Sequence, residues 1–158
     1  MLVGITGHQN LRERCAKLVR AEVELQLRAL DEPLVGLTSL AAGADQIFAE
    51  AVLQAGGQLS VVLPSDQIET SFQEPSALAR FERLMERADE ITRMPFDEPG
   101  EEAYWEAGRT IVERSDLLLA VWDGEPAGGL GGTADVVAYA RERGTVVTVI
   151  WPEGCERL

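Results

Sequence analysis

The sequence is short of the residues from which many functional sites are made. It contains one histidine, His8, which excludes a multi-histidine metal centre within the chain, and no metal is expected. It contains two cysteines, Cys15 in an expected helix and Cys155 in the tail. Their number and spacing make neither a disulfide framework nor a metal motif, so both are expected to be reduced. Lys17 is the one lysine, and 14 basic residues stand against 27 acidic ones, a formal net charge of -13. Such a deficit of clustered Lys and Arg disfavours contact with a phosphate backbone, and no nucleic-acid partner is expected. No apolar run approaches the ~18 residues a membrane span needs, so no membrane partner is expected, and residues 1–8 lack the regions of a signal peptide. The expectation is one cytoplasmic domain over residues 1–158, with a tail from about residue 152.

What is present is a regular alternation of short apolar runs and amphipathic stretches. The most informative stretch spans residues 116–140. Leu117 to Trp122 is apolar without alternation, as in a strand covered on both faces. Asp123 and Gly124 follow at its end, then a loop with Gly128, Gly129, Gly131 and Gly132, then Thr133 as the cap of a helix. Free amides at a helix start, with the positive end of its dipole, form an anion site, for which phosphate is the simplest guest. The spacing is that of neither the P-loop nor the dinucleotide fingerprint.

Two earlier turns share this grammar. Residues 2–6 form a strand ending in Thr6-Gly7-His8, and a helix follows with Leu11, Cys15, Val19, Val23, Leu27 and Leu30 on one face. Asn10 and Glu13 have the spacing of a capping box. A second strand, residues 34–38, leads through Ser39 and Gly43 to a helix that begins near Asp45. Further strands are expected at residues 59–63, 91–94 and 145–151, and further helices at 77–88, 101–114 and 133–143. Residues 65–74 read as a loop with a helical turn, placed to cover a site. About six strands alternating with helices imply an α/β fold of three layers, Rossmann-like, with a mostly parallel sheet and helices on both faces. Ligands of such sheets lie beyond the carboxyl ends of the strands.

Single residues add candidates. Trp105 and Arg109 are four apart and share a helix face, where the indole can hold a base and the guanidinium a phosphate. Tyr104, Trp122 and Trp151 are expected in the core, and Glu98, Glu101 and Glu102 form a solvated acidic run. Asp45, Asp123 and Asp135 are possible ligand contacts, each with a plain alternative in turn or helix-start chemistry.

Three segments together, Val3-Gly-Ile-Thr-Gly-His8, Ser39-Leu-Ala-Ala-Gly-Ala-Asp45 and Ser115-Asp-Leu-Leu-Leu-Ala-Val-Trp-Asp-Gly124 with its glycine loop, resemble the SLOG superfamily. That group joins DprA-like DNA-processing proteins, lonely-guy phosphoribohydrolases and molybdenum-cofactor carriers. The resemblance implies a Rossmann-like domain that binds a nucleotide or nucleotide-derived molecule, as a homodimer or larger homo-oligomer. By position, Gly7, Gly43, Gly131, Gly132 and Thr133 correspond to its phosphate-side contacts. The lonely-guy motif has a glutamate three residues after its threonine, where this chain has Val136. Asp135 is one residue early, which turns it by about 100° on a helix.

A binding role with no required cofactor is therefore favoured, as a sensor or carrier. The ligand contacts expected are Thr6, Gly7, His8, Ser39, Gly43, Asp45, Trp105, Arg109, Asp123, Gly124, Gly129, Gly131, Gly132 and Thr133. The alternative is a hydrolase of a nucleoside monophosphate's glycosidic bond, with Asp135, Asp123 or Glu106 as acid or base and Arg109 on the phosphate.

Overall fold

In a computed structural model, residues 1–126 and 129–156 are described; Gly128 of the expected anion loop lies outside them. Six strands form one sheet: β1 (Leu2–Gly7), β2 (Val35–Thr38), β3 (Gln58–Leu63), β4 (Glu90–Arg93), β5 (Leu117–Val121) and β6 (Val146–Ile150). Every pairing is parallel and the order is β4-β3-β2-β1-β5-β6. The helices are α1 (Glu13–Arg28), α2 (Ala44–Gln54), α3 (Pro75–Glu86), α4 (Glu101–Arg114) and α5 (Thr133–Glu142).

Connectivity and handedness explain where the helices lie. From β1 to β4 the chain steps one way across the sheet, so right-handed crossovers put α1, α2 and α3 on one face. It then returns past β1 to β5 and continues outward to β6, so α4 and α5 cover the other face. The strands divide between the two cores by their period of two. Val3, Ile5, Leu59, Val61, Leu63, Leu119 and Val121 pack with Val19, Val23 and Phe48, whereas Leu37, Val62 and Leu118 pack with Ile111, Val112 and Val136. The direction of travel reverses between β1 and β5, and there two adjacent strand ends lead their connections to opposite faces, leaving a crevice.

Two local expectations are corrected. Asn10 does not cap the first helix, which starts at Glu13 behind Arg12 and has no side-chain cap; the segment ahead of it is used as cleft wall. The cysteines are not reduced, because Cys15 and Cys155 are disulfide-bonded, with Cα atoms 5.1 Å apart and a sequence separation of 140. The reason is topological. In an all-parallel sheet each strand ends at the edge where each helix begins, so the segment after β6 arrives beside the first turns of α1. Among the described residues no helix is long and apolar enough to cross a membrane.

Candidate functional site

The crevice between β1 and β5 is a cleft of about 380 Å³. Its floor is the end of β1, with Thr6, Gly7 and His8, beside Ser39, Ala41 and Asp45 of the turn between β2 and α2. One face of α4 forms a wall, and Gly129 to Ala134 form the rim at the start of α5.

That rim is less open than a bare glycine loop. The Gly131 amide donates to Asp135 Oδ2 at 3.2 Å, and the Gly132 amide to Gly129 O at 3.4 Å. Thr133 is the first helical residue and not the cap; Gly132 occupies the cap position and no side chain bonds there. The first helical hydrogen bond runs from the Val136 amide to Gly132 O, and the amides of Thr133 and Ala134 make none among the described residues. Both residues line the cleft. The donors left for a guest are thus one turn narrower than the sequence implied, since Asp135 closes back on its own loop. Gly131 has φ +82°, and a Cβ there would stand 2.9 Å from the Trp105 amide nitrogen, so glycine is required for the loop to lie against α4.

Asp45 is the one buried carboxylate of the cleft, 7% exposed. Its side chain accepts from the Ala41 amide at 3.3 Å, and Ser39 N–H and the Thr38 hydroxyl also bond it. Burial outweighs these three bonds and pushes its carboxyl from 3.8 up to about 7. The same turn contains Leu40 at φ +58°, fully buried. Asp45 therefore holds an unusual turn together from within while facing the cleft.

The remaining expected contacts fall elsewhere. Gly43 does not line the cleft but supports it from beneath: at φ +81°, a Cβ would sit 2.4 Å from Gln9 O and 2.7 Å from His8 O. Gly43→Ala should destabilise the fold by about 2 kcal/mol, readable in denaturant melts, because these obstacles are backbone and the conformation is glycine's. Trp105 makes an edge contact with Tyr139, at 5.7 Å between ring centroids. Arg109 lies over the same ring and pairs with Glu106 at 3.1 Å, with Glu113 at 3.8 Å, so neither Arg109 nor Glu106 faces the cleft. Asp123 lies 3.3 Å from His8 Nε2, and its amide is 3.2 Å from the same nitrogen. Gly124, at φ +85°, is exposed and outside the lining.

Residues passed over as core or solvated prove to be wall. Tyr104 and Glu101 line the cleft with Gly108 and Ile111, and Gln9 joins them from β1. Positions 101, 104, 108 and 111 are themselves a helical face. The pair Trp105 and Arg109 drew attention to the neighbouring stripe, one residue and about 100° away. A small residue at 108 between polar and aromatic ones was the signal that could have distinguished the two. Trp122 and Trp151 are half-buried; the first donates to Glu125 O at 2.8 Å and the second meets the His8 ring edge-on at 5.4 Å.

Neither a family model nor a curated protein sequence matches the chain. Solved structures do. DNA processing protein A (DprA) from Streptococcus pneumoniae superposes with a TM-score of 0.70 at 22% identity, over 96% of this chain and 50% of that one. DprA from Helicobacter pylori gives 0.68 at 14% identity, over 99% and 68%, and its structure is described as a single-stranded DNA binding mode. A molybdenum cofactor binding protein from the phototrophic bacterium Rippkaea orientalis gives 0.59 at 19% identity, over 94% and 74%. The chain thus spans half the length of the pneumococcal protein.

The Helicobacter likeness overturns the exclusion of nucleic acid, since a protein of this fold binds single-stranded DNA. Net charge was the wrong measure: it averages the whole surface, while a groove is local. The parallel order β4-β3-β2-β1-β5-β6, its reversal beside β1 and these likenesses give the chain an α/β Rossmann-like fold, shared with these structures.

Proposed function

We propose that the cleft binds a nucleotide or nucleotide-derived small molecule through an anionic group at the start of α5, and that the protein acts as a sensor or carrier. The observation that carries this reading is the pair of amides, Thr133 and Ala134, that make no hydrogen bond among the described residues and open into a preformed cleft at the reversal of the sheet. Backbone donors and a helix dipole can hold an anion in a molecule of negative net charge, and no basic side chain is needed in the lining.

One observation favours hydrolysis instead. Asp45 faces the cleft with its carboxyl near 7, the range in which a side chain can both take and give a proton. The carboxylates first considered, Asp135, Asp123 and Glu106, are engaged by Gly131, His8 and Arg109 respectively. A hydrolase reading therefore rests on Asp45, with His8 and Glu101 in the same lining.

Thr133→Pro separates the possibilities. Proline is accepted at the first helical position, and Gly132 already has the extended backbone (φ -69°, ψ 172°) that a following proline requires. The variant deletes one of the two donors and keeps the helix. Calorimetric titration with AMP, GMP, CMP and UMP should give binding to at least one, weakened about tenfold or more in the variant, as for loss of one hydrogen bond to a charged group. No binding to any of the four would refute the proposal. Release of free base, lost in Asp45→Asn, would establish the hydrolase in its place.

A further inference from the structure

A second hollow, of about 180 Å³, adjoins the cleft and shares with it Gln9, Ser39, Ala41 and Tyr104. It lies on the β2–β3 side, where the 3-10 turn Ile68–Ser71 and the start of α3 close over the turn between β2 and α2. The residues expected to cover a site do so here. Its shape is fixed from behind by Gln46, fully buried, whose Nε2 donates to Leu40 O at 3.2 Å and to Ala77 O at 3.0 Å. That side chain ties the turn between β2 and α2 to α3, and the hollow is preformed.

Its chemistry differs from that of the first cleft. The side-chain carboxamides of Gln9, Asn10 and Gln73 stand at its edge, and none makes a hydrogen bond among the described residues. Phe72, braced by Phe81 at 5.0 Å between centroids, and Tyr104 supply aromatic surface. An anion finds fewer donors here than at α5, because the amides of Ala77 and Leu78 both donate to Glu74 O and Pro75 has none, which leaves the Ser76 amide alone in that turn without a bond among the described residues. A cation finds only the Glu74 carboxylate, and an aliphatic group would strand the polar edge. A flat ring with donors and acceptors on its rim satisfies both the carboxamides and the aromatic walls.

We infer that the ligand reaches from the start of α5 past Tyr104 into this second hollow, which holds its heteroaromatic ring, the base of a phosphorylated nucleoside. The inference rests on the binding function proposed above and assigns the two ends of the ligand to two chambers. Together the chambers have the size usual for a small-molecule site, ~300–1,000 Å³.

The test titrates AMP, GMP, CMP, UMP and ribose 5-phosphate into the wild type and into an Asn10→Ala, Gln73→Ala double variant. Both side chains are exposed and unbonded, so the variant should fold normally, with an unchanged thermal midpoint as control. At least one mononucleotide should bind about tenfold or more tightly than ribose 5-phosphate, and the double variant should remove most of that advantage while leaving ribose 5-phosphate unaffected, as for two lost hydrogen bonds of ~1 kcal/mol each. Equal affinity for ribose 5-phosphate and every mononucleotide, or undiminished mononucleotide binding in the variant, overturns the inference and leaves the anion site standing. If none of the five binds, the functional proposal itself fails.

Discussion

Reducing the Cys15–Cys155 bridge should lower the free energy of unfolding by about 2–5 kcal/mol. The bond closes a loop of nearly the whole chain, its ends separated by 140 positions in sequence, and so removes more freedom from the unfolded state than a short-range bridge could. It also anchors the segment after β6, whose Trp151 abuts the His8 ring at the mouth of the cleft. In a domain of this size each kcal/mol moves the melting midpoint by roughly 2–4 °C, so a fall on the order of 5–15 °C is expected on adding reductant. Cys15→Ser with Cys155→Ser should melt near the reduced wild type and no longer respond to reductant. A midpoint indifferent to reductant, with both thiols open to alkylation before it is added, would show that no bridge forms. The bridge also removes the cysteine argument for a reducing compartment.

The second large effect is a loss of stability as pH rises. Asp45 carries a folded-state pKa of about 7 against 3.8 for the unreacted side chain, so the folded protein holds its proton more tightly than the unfolded one. Below about pH 4 both states are protonated and the stabilising contribution is whole. Between pH 4 and 7 the unfolded chain ionises first, and stability falls until the folded carboxyl ionises too. A shift of this size corresponds to on the order of 4 kcal/mol. Glu50 works in the opposite sense at lower pH: although burial raises it, the guanidinium groups of Arg80 and Arg20 hold its carboxyl below the usual value, and its contribution is lost as pH falls below about 4.5. The two windows are therefore separable. The measurement is the difference between wild type and Asp45→Asn in denaturant melts from pH 4.5 to 8, which isolates Asp45 from every other titrating group. The wild type should lose stability across that range and the variant should lose much less. Parallel slopes would mean that Asp45 is ionised and solvated in the folded state.

A bound anion should deepen this pH dependence. The ionised form of Asp45 shares the cleft with any phosphate held at Thr133 and Ala134, and like charges in one low-dielectric crevice oppose each other.

The elements of this protein were largely legible in its residues because their signals are local. An unbroken apolar run marked β5, and spacings of three and four marked the buried side of α1, where Cys15, Val19, Val23 and Leu27 are in the core. Alternation of strand and helix was enough for a parallel, three-layered sheet, since crossover handedness leaves few other arrangements. What remained hidden depends on distance in space. The Asp135 carboxylate turning back to Gly131, the Arg109 side chain stacked on Tyr139 and the pairing of Cys15 with Cys155 are set by contacts that no spacing encodes. So is the direction of the α4 face, where a rotation of one residue exchanges Trp105 for Tyr104 as the aromatic wall.

By itself, the sequence determined that about six strands would pair in a mostly parallel sheet and deliver three small-residue turns to one edge, because periodicity and right-handed connection act along the chain. Only the tertiary structure decided which amides stay unpaired at that edge, which carboxylate is buried there, and that a second chamber opens beside the first. Those outcomes depend on burial and on partners brought together from distant segments, and both are properties of the packed molecule.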